Sequence, residues 1–126
     1  MVAKEELRER ALAMGFADAG FTTAEAFQPI EEYLQSRQEE YGWAEKVGIG
    51  LLGGTDPRTA LPGAGSIIVL VDTYFRESFP RSLEGTFGRC YLDDDRVTRD
   101  GLTKRIQDFR AVLKENGIGS KLPPNL

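Results

Sequence analysis

The most regular hydrophobic pattern in the chain is the run SIIVLVDTYF, residues 66–75, which is apolar at most positions and rich in β-branched and aromatic side chains. A continuous apolar run of this length is typical of a strand that is buried on both faces. A buried helix is the alternative, but the Pro and Gly residues just before the run and the β-branched residues within it disfavour a helix. The pattern therefore predicts a central, interior strand over 66–75.

The segment before this strand is made of turn signals. Asp56-Pro57 favours one turn, and Pro62-Gly63 followed by Gly65 favours a second. A loop with two turns is therefore expected to deliver the chain into the central strand.

Helical spacing marks the first residues of the chain. Between Val2 and Met14 the apolar residues recur every three or four positions, with charged residues between them. Gly15 stands where a left-handed residue would end this helix, and residues 16–23, FADAGFTT, alternate weakly enough to form a short strand. A helix that leads into a strand predicts a mixed fold.

The last helix is predicted over 101–116, with Thr98 or Asp100 as its N-cap. Its apolar stripe consists of Leu102, Ile106, Phe109 and Leu113, and its exposed face is expected to carry Lys104, Arg105, Arg110 and Lys114. Asn116-Gly117 predicts a Schellman-type end, with Ile118 available for the hydrophobic contact.

The region between the two predicted strands has weaker signals. Thr22 and Glu25 have capping-box spacing, which would begin a helix at Thr22. Pro29, however, fits only the first turn of a helix, so we place the helix over 29–37. Residues 38–40 are then expected to be a solvated tail. Residues 41–54 are apolar but interrupted by glycine, which predicts a short helical turn and then irregular chain packed on the core. A phosphate-binding loop is disfavoured because no Lys-Ser/Thr follows the glycines.

Composition narrows the class of protein. A chain of 126 residues is expected to form a single domain, and the predicted fold class is α/β (α+β), with a central buried strand and flanking helices. The net charge is −4 and no dense Lys/Arg patch is present, so nucleic-acid binding is not supported by charge. With no signal peptide and no apolar run of membrane-spanning length, a cytoplasmic location is expected and no membrane partner. One Cys and no His fit a reducing compartment and remove the commonest acid/base residue.

The densest polar segment is GRCYLDDDRV, residues 88–97, which follows an expected exposed excursion over 76–87. The three consecutive aspartates 93–95 could bind a hard cation. They lack the alternating ligand spacing and the closing Glu of an EF-hand loop, so a solvated loop is favoured and no metal ligand is assigned.

Three segments together resemble a known family: residues 14–25 (MGFADAGFTTAE), 56–75 (DPRTALPGAGSIIVLVDTYF) and 88–97. Through them nearly the whole chain resembles the N-terminal domain of the epoxyqueuosine reductase family and, more distantly, the corrinoid domain of reductive dehalogenases. The middle segment is the most specific. Family members typically have Asp-Pro-Arg, then a Leu-Pro-Gly-Ala-x-Ser turn, then an apolar strand that ends in an aromatic pair, and the matching residues here are Asp56, Pro57, Arg58, Leu61, Pro62, Gly63, Ala64, Ser66, Tyr74 and Phe75.

The resemblance implies a nitroreductase-like or corrinoid-domain-like fold within a longer oxidoreductase that binds cobalamin and two 4Fe-4S clusters. Each cluster needs about four Cys thiolates, so Cys90 alone cannot hold one. We therefore expect residues 1–126 to be the N-terminal domain of a longer epoxyqueuosine reductase-like protein, with the iron-sulfur domain downstream as its partner. The chain is not expected to be catalytic on its own.

Five residues are candidates to face the substrate or cofactor: Tyr74, Arg89, Tyr91, Asp94 and Asp95. A fixed cation and phenol hydroxyls can orient a polar substrate, such as a small molecule or a modified nucleoside, and supply hydrogen bonds or protons. Alternatively, Tyr74 belongs to the core and Arg89 pairs with one of the aspartates.

The sequence departs from the family at two places that touch chemistry. The His that usually follows the Arg-Tyr and Asp-Tyr motif is absent, and residues 119–126 contain no side-chain carboxylate where the family has a proton donor. No catalytic residue is therefore assigned. A non-catalytic binding or docking domain that keeps the fold is the main alternative, and a flavin-binding nitroreductase-like domain is a third, based on fold analogy alone.

Overall fold

The computed structural model describes residues 2–73, 81–83, 85–86 and 101–123. The α-helices are α1 (Lys4–Ala13), α2 (Gln28–Ser36), α3 (Gln38–Tyr41), α4 (Trp43–Lys46) and α5 (Leu102–Glu115), and the strands are β1 (Asp18–Thr23) and β2 (Ser66–Val71). Short 3-10 helices span Leu52–Thr55, Pro57–Thr59 and Arg81–Leu83. These elements confirm a small mixed α+β fold.

The described strands form one two-stranded sheet, in the order β1-β2. The Ala17 N–H donates to the Val71 carbonyl at 2.8 Å, and the Ala24 N–H donates to the Gly65 carbonyl at 3.3 Å. Because the later residue of β1 pairs with the earlier residue of β2, the strands are antiparallel. The predicted strand over 16–23 is confirmed as β1.

Two helices end in the Schellman geometry that their sequences predict. After α1, Gly15 has φ of +90° and the Phe16 N–H donates to the Ala11 carbonyl at 3.1 Å. After α5, Gly117 has φ of +74° and the Ile118 N–H donates to the Leu113 carbonyl at 2.9 Å. Only glycine adopts such a φ without steric cost, so both glycines fix where the helices stop.

At the N-terminus of α5, Gly101 occupies the N-cap position. The predicted caps, Thr98 and Asp100, lie outside the described residues, so this prediction stays a prediction.

The chain divides into two compact units, unit 1 (Met1–Gly20 and Ile68–Gly119) and unit 2 (Phe21–Ile67 and Ser120–Leu126). The buried apolar residues of unit 1 come from α1, the turn that follows it, β1 and α5: Leu7, Ala11, Phe16, Ala19, Phe109 and Leu113. The predicted stripe of α5 is confirmed in part, since Phe109 and Leu113 are buried while Leu102 and Ile106 are only half-buried.

Strand β2 corrects the prediction of an interior strand. Its existence is confirmed over 66–71, but Val69 is 51% exposed and Val71 is 46% exposed. The described sheet offers β2 one neighbouring strand, so its apolar residues are not covered on both faces. An apolar run specifies a strand through its β propensity, whereas its burial depends on which layers pack against it.

In unit 2 the predicted helix around Pro29 is observed as α2, with Pro29 in its first turn. Thr22 lies in β1, so the expected capping box does not form. Instead Phe27 occupies the N-cap position, where its N–H donates to the Thr55 carbonyl at 2.7 Å. Thr55 is buried, and its hydroxyl donates to the Leu52 carbonyl at 2.7 Å.

Residues 38–40 are exposed, as expected of a solvated tail, but they form the start of the short helix α3. The short helical turn predicted within 41–54 is confirmed as α4, on which Ala44 is buried. Packing of the rest of this segment is incomplete, since Ile49, Leu51 and Leu52 are half-buried while Trp43 and Val47 are 59% and 65% exposed. Helix α4 has a single turn and is flanked by glycines, so its neighbours along the chain offer few side chains that could cover its larger residues.

The two turns before β2 are confirmed. The Asp56 carboxylate accepts a hydrogen bond from the Arg58 N–H at 2.9 Å and caps the 3-10 helix Pro57–Thr59. In the second turn the Ala64 N–H donates to the Leu61 carbonyl at 3.0 Å, and Gly63 has φ of +78°. Proline followed by a glycine with positive φ is the pattern that a type II turn requires.

A matched pair of leucines tests the core of unit 1. Replacing Leu113, which is 3% exposed, with Ala should lower the free energy of unfolding by about 3 kcal/mol, because burial is lost and a cavity remains. Leu12→Ala, at a side chain that is 42% exposed, should cost less than about 1 kcal/mol. Urea unfolding followed by circular dichroism measures both, and equal losses would show that Leu113 is not a core residue.

Candidate functional site

All five candidate residues from the sequence, Tyr74, Arg89, Tyr91, Asp94 and Asp95, lie outside the described residues, as does Cys90. Before these candidates the structure describes the end of β2 with Asp72 and Thr73, and after them the start of α5 at Leu102, preceded by Gly101.

These two ends are joined by an ion pair between Asp72 and Arg105. The guanidinium donates through Nη1 to Asp72 Oδ1 at 2.9 Å and through Nη2 to Asp72 Oδ2 at 2.8 Å. Both side chains are largely withdrawn from solvent, with 11% of Arg105 and 13% of Asp72 exposed. A bidentate pair with two parallel bonds fixes orientation as well as distance.

Arg105 makes two further contacts in unit 1. Its guanidinium carbon lies 5.1 Å from the centre of the Phe16 ring, within the range of a cation–π interaction. Its Nη1 also donates a long hydrogen bond of 3.4 Å to the Gly15 carbonyl. One side chain therefore connects α5, the end of β2 and the turn that follows α1.

The sequence interpretation placed Arg105 on the exposed face of α5, which is wrong. Arg105 lies one turn before Phe109 and at the edge of the apolar stripe, where a long side chain can lie along buried surface. For Asp72 the sequence does contain a signal of an ion pair: Asp72 is the only charged residue in the apolar run 66–75. A carboxylate at the end of an apolar strand needs a partner when it is withdrawn from water.

The chemistry of this pair is structural. Both carboxylate oxygens of Asp72 accept bonds from Arg105, and the guanidinium remains charged at all ordinary pH values. The pair therefore joins the residue after β2 to α5 and does not supply a proton donor or acceptor.

Unit 2 carries a second cluster of functional groups, on α2 and α3. Arg37 donates to the Tyr33 hydroxyl at 2.6 Å, and its guanidinium carbon lies 5.3 Å from the Tyr33 ring centre and 5.8 Å from that of Tyr41. It also forms a bidentate pair with Glu40, at 3.0 and 2.6 Å.

The pKa of Arg37 is raised, mainly by its hydrogen bond to Glu40 and to a lesser degree by its hydrogen bond to Tyr33. Interaction with the Tyr33 hydroxyl raises the pKa of Tyr41 above its ordinary value of 10.0. Both shifts move the Tyr41 and Arg37 pKa values away from neutral pH, so neither group is poised for proton transfer.

The cavity bounded by Leu34, Gln38, Tyr41, Glu45, Leu51 and Leu52 has a volume of about 10 Å³. That is room for about one water molecule, so this cavity holds no organic ligand. Within the part of the chain that the structure describes, no group of three or more His, Cys, Asp or Glu residues could hold a metal ion. Among the same residues no helix has the length and apolarity to cross a bilayer.

No family model, curated protein or solved structure matches this chain.

Single substitutions at the ion pair test its structural role. Asp72→Asn keeps the shape of the side chain but removes the carboxylate that faces the Arg105 charge, and should cost about 3 kcal/mol of unfolding free energy. Arg105→Lys, made separately, keeps the charge but should also be destabilising, because an ammonium cannot make two parallel bonds. The neighbouring exposed pair Lys104–Asp108, at 2.7 Å, is the control, and Lys104→Ala should cost less than about 1 kcal/mol. Equal costs at both pairs would contradict the role given to Arg105.

A surface pair in unit 1 makes a pH prediction. Arg8 Nε donates to Asp18 Oδ1 at 2.7 Å, and this bond, together with one from the Ala19 N–H, lowers the pKa of Asp18 below its ordinary value of 3.8. The stabilisation is therefore fully present above the unfolded pKa and is lost as the pH falls below 3.8 through the folded pKa.

NMR titration of the Asp18 carboxyl checks this prediction. Arg8→Ala should move the pKa of Asp18 upward, toward its ordinary value, whereas Lys4→Ala on the same helix should leave it in place. An Asp18 pKa that is the same in all three proteins would show that the Arg8 bond does not persist in solution.

Proposed function

We propose that this chain is the N-terminal, substrate- and cobalamin-facing domain of an iron-sulfur, corrinoid-dependent oxidoreductase related to epoxyqueuosine reductase. The observation that carries the proposal is the segment 56–75, whose Asp-Pro-Arg, Leu-Pro-Gly-Ala-x-Ser and terminal aromatic pair follow the family pattern in order and spacing. On this proposal the mixed α+β fold is of the nitroreductase-like or corrinoid-domain type.

The described geometry supports the proposal at the level of scaffold. Asp56 caps a 3-10 turn, Gly63 takes the positive φ of the second turn, and β2 follows directly. The residue after the strand, Asp72, forms the ion pair with Arg105. The motif thus forms a loop and strand that deliver the chain to Tyr74, the first of the candidate residues.

The proposed roles follow from side-chain chemistry. Arg89 would supply a fixed cation toward an anionic or polar group of the substrate or cofactor. Tyr74 and Tyr91 would donate hydrogen bonds through their hydroxyls, and Asp94 and Asp95 would accept them. These five residues would form one wall of the site.

The iron-sulfur clusters do not fit the residues of this chain. A cubane cluster takes about four thiolates, and the sequence contains only Cys90. The proposal therefore assigns the clusters to a downstream domain of a longer protein.

The cavity that the described residues form beside Leu34 and Tyr41 is too small for a corrin. The cavity beside Leu34 and Tyr41 has about 10 Å³, whereas pockets for organic ligands enclose roughly 300–1,000 Å³. We therefore propose that a corrin is held between the candidate wall and the downstream domain, and we derive no reaction step through it.

A non-catalytic docking domain is the second candidate function. It is favoured by the apolar side chains that unit 2 exposes on α2 and α4, among them Ile30 at 55% and Trp43 at 59%. It also agrees with the departures from the family at the His and the acid positions.

Cobalamin titration separates the two functions. The 126-residue chain alone should bind cobalamin weakly, and a protein extended past Leu126 through its downstream cysteines should bind it tightly, because the second wall is then present. Absorbance of the corrin follows both titrations. In the extended protein Arg89→Gln should weaken binding, while Arg110→Gln on α5 should not.

Tight binding to the 126-residue chain alone would place the whole site within it. No binding to the extended protein would remove the corrinoid function and leave the docking function ahead.

A further inference from the structure

Helix α2 presents apolar side chains that no part of unit 2 buries. The helix has no buried residue, and Phe27, Ile30 and Tyr33 are 43%, 55% and 47% exposed. Their spacing of three residues keeps them on one side of the helix. An amphipathic helix normally gains its stability by burying such a stripe, so an exposed stripe marks an interaction surface.

The stripe continues into α3 through the Tyr33–Arg37–Tyr41 cluster. The two tyrosine rings lie 6.4 Å apart with Arg37 against both, and Glu40 neutralises the guanidinium. Five residues therefore form one surface, the α2–α3 strip: Phe27, Ile30, Tyr33, Arg37 and Tyr41. Its aromatic part is held in place by hydrogen bonds and is preorganised for contact.

The strip lies in the most acidic stretch of the described chain. Residues 25–46 contain six glutamates against Arg37 and Lys46, a net charge of −4 that equals that of the whole chain. The glutamates are exposed or half-exposed: Glu25, Glu31, Glu32, Glu39, Glu40 and Glu45. A second copy of this strip would bring like charges together, so self-association through it is disfavoured.

We propose that the α2–α3 strip docks a basic amphipathic helix of a partner protein. The partner's apolar residues would pack along Phe27, Ile30 and Tyr33 in the way that two helices interlock their stripes. Lysine or arginine residues beside that stripe would pair with the flanking glutamates, as charged flanks do in coiled coils. This inference is independent of the proposed redox function.

A designed peptide pair tests the proposal on the intact 126-residue chain. The probe is a fluorescein-labelled helical peptide with leucine on one face and lysine on the other, and its counterpart carries glutamate in place of lysine. Anisotropy should show binding of the lysine peptide only, weakened by added salt.

Matched variants locate the binding. Ile30→Ser should weaken binding of the lysine peptide by about tenfold, because it removes a central anchor of the interface. Leu12→Ser, at an exposed leucine of α1, should leave the affinity unchanged. The double variant Glu32→Lys/Glu39→Lys should weaken binding of the lysine peptide by a similar factor. The control double variant Glu5→Lys/Glu9→Lys on α1 should not weaken it. Circular dichroism confirms that each variant is folded.

Three outcomes would overturn the proposal. The first is equal binding of the two peptides. The second is that the α1 variants weaken binding as much as the strip variants do. In the third, sedimentation shows a dimer of the chain that Ile30→Ser dissociates, which would make the strip an interface between copies.

Discussion

The Asp72–Arg105 pair is the interaction on which the frame of unit 1 depends. It joins the residue after β2 to the first turn of α5, and Arg105 adds its contact with Phe16 in the turn after α1. The pair thus links the first turn of α5 to the residue after β2. Because both charges are largely desolvated, removing either one should be costly.

The two units differ in how they use apolar residues. Unit 1 buries large side chains, among them Phe16, Phe109 and Leu113. In unit 2 the residues under a tenth exposed are Ala24, Ala44 and Thr55, while its aromatic residues on α2 and α4 remain exposed. Among the described residues the large buried side chains therefore lie in unit 1, whereas unit 2 leaves large apolar side chains of α2 and α4 exposed.

The two proposals assign different work to different parts of the chain. The loop and strand over 56–72 form scaffold, and the candidate residues that begin at Tyr74 would supply the chemistry. The α2–α3 strip would serve recognition of another protein and involves none of the candidate redox residues. Loss of one activity by substitution need not affect the other.

The sequence by itself determined the local structure. Two helix ends and one turn could be predicted from Gly15, Gly117 and Gly63, because glycine takes a positive φ without steric cost wherever it stands. The spacing of apolar residues located α1, α2 and α5. Tertiary structure decided what is buried: Val69 and Trp43 proved exposed and Arg105 proved enclosed. Burial and ion pairing depend on side chains brought together from distant positions, 33 residues apart for Asp72 and Arg105, and no local pattern encodes such a partner.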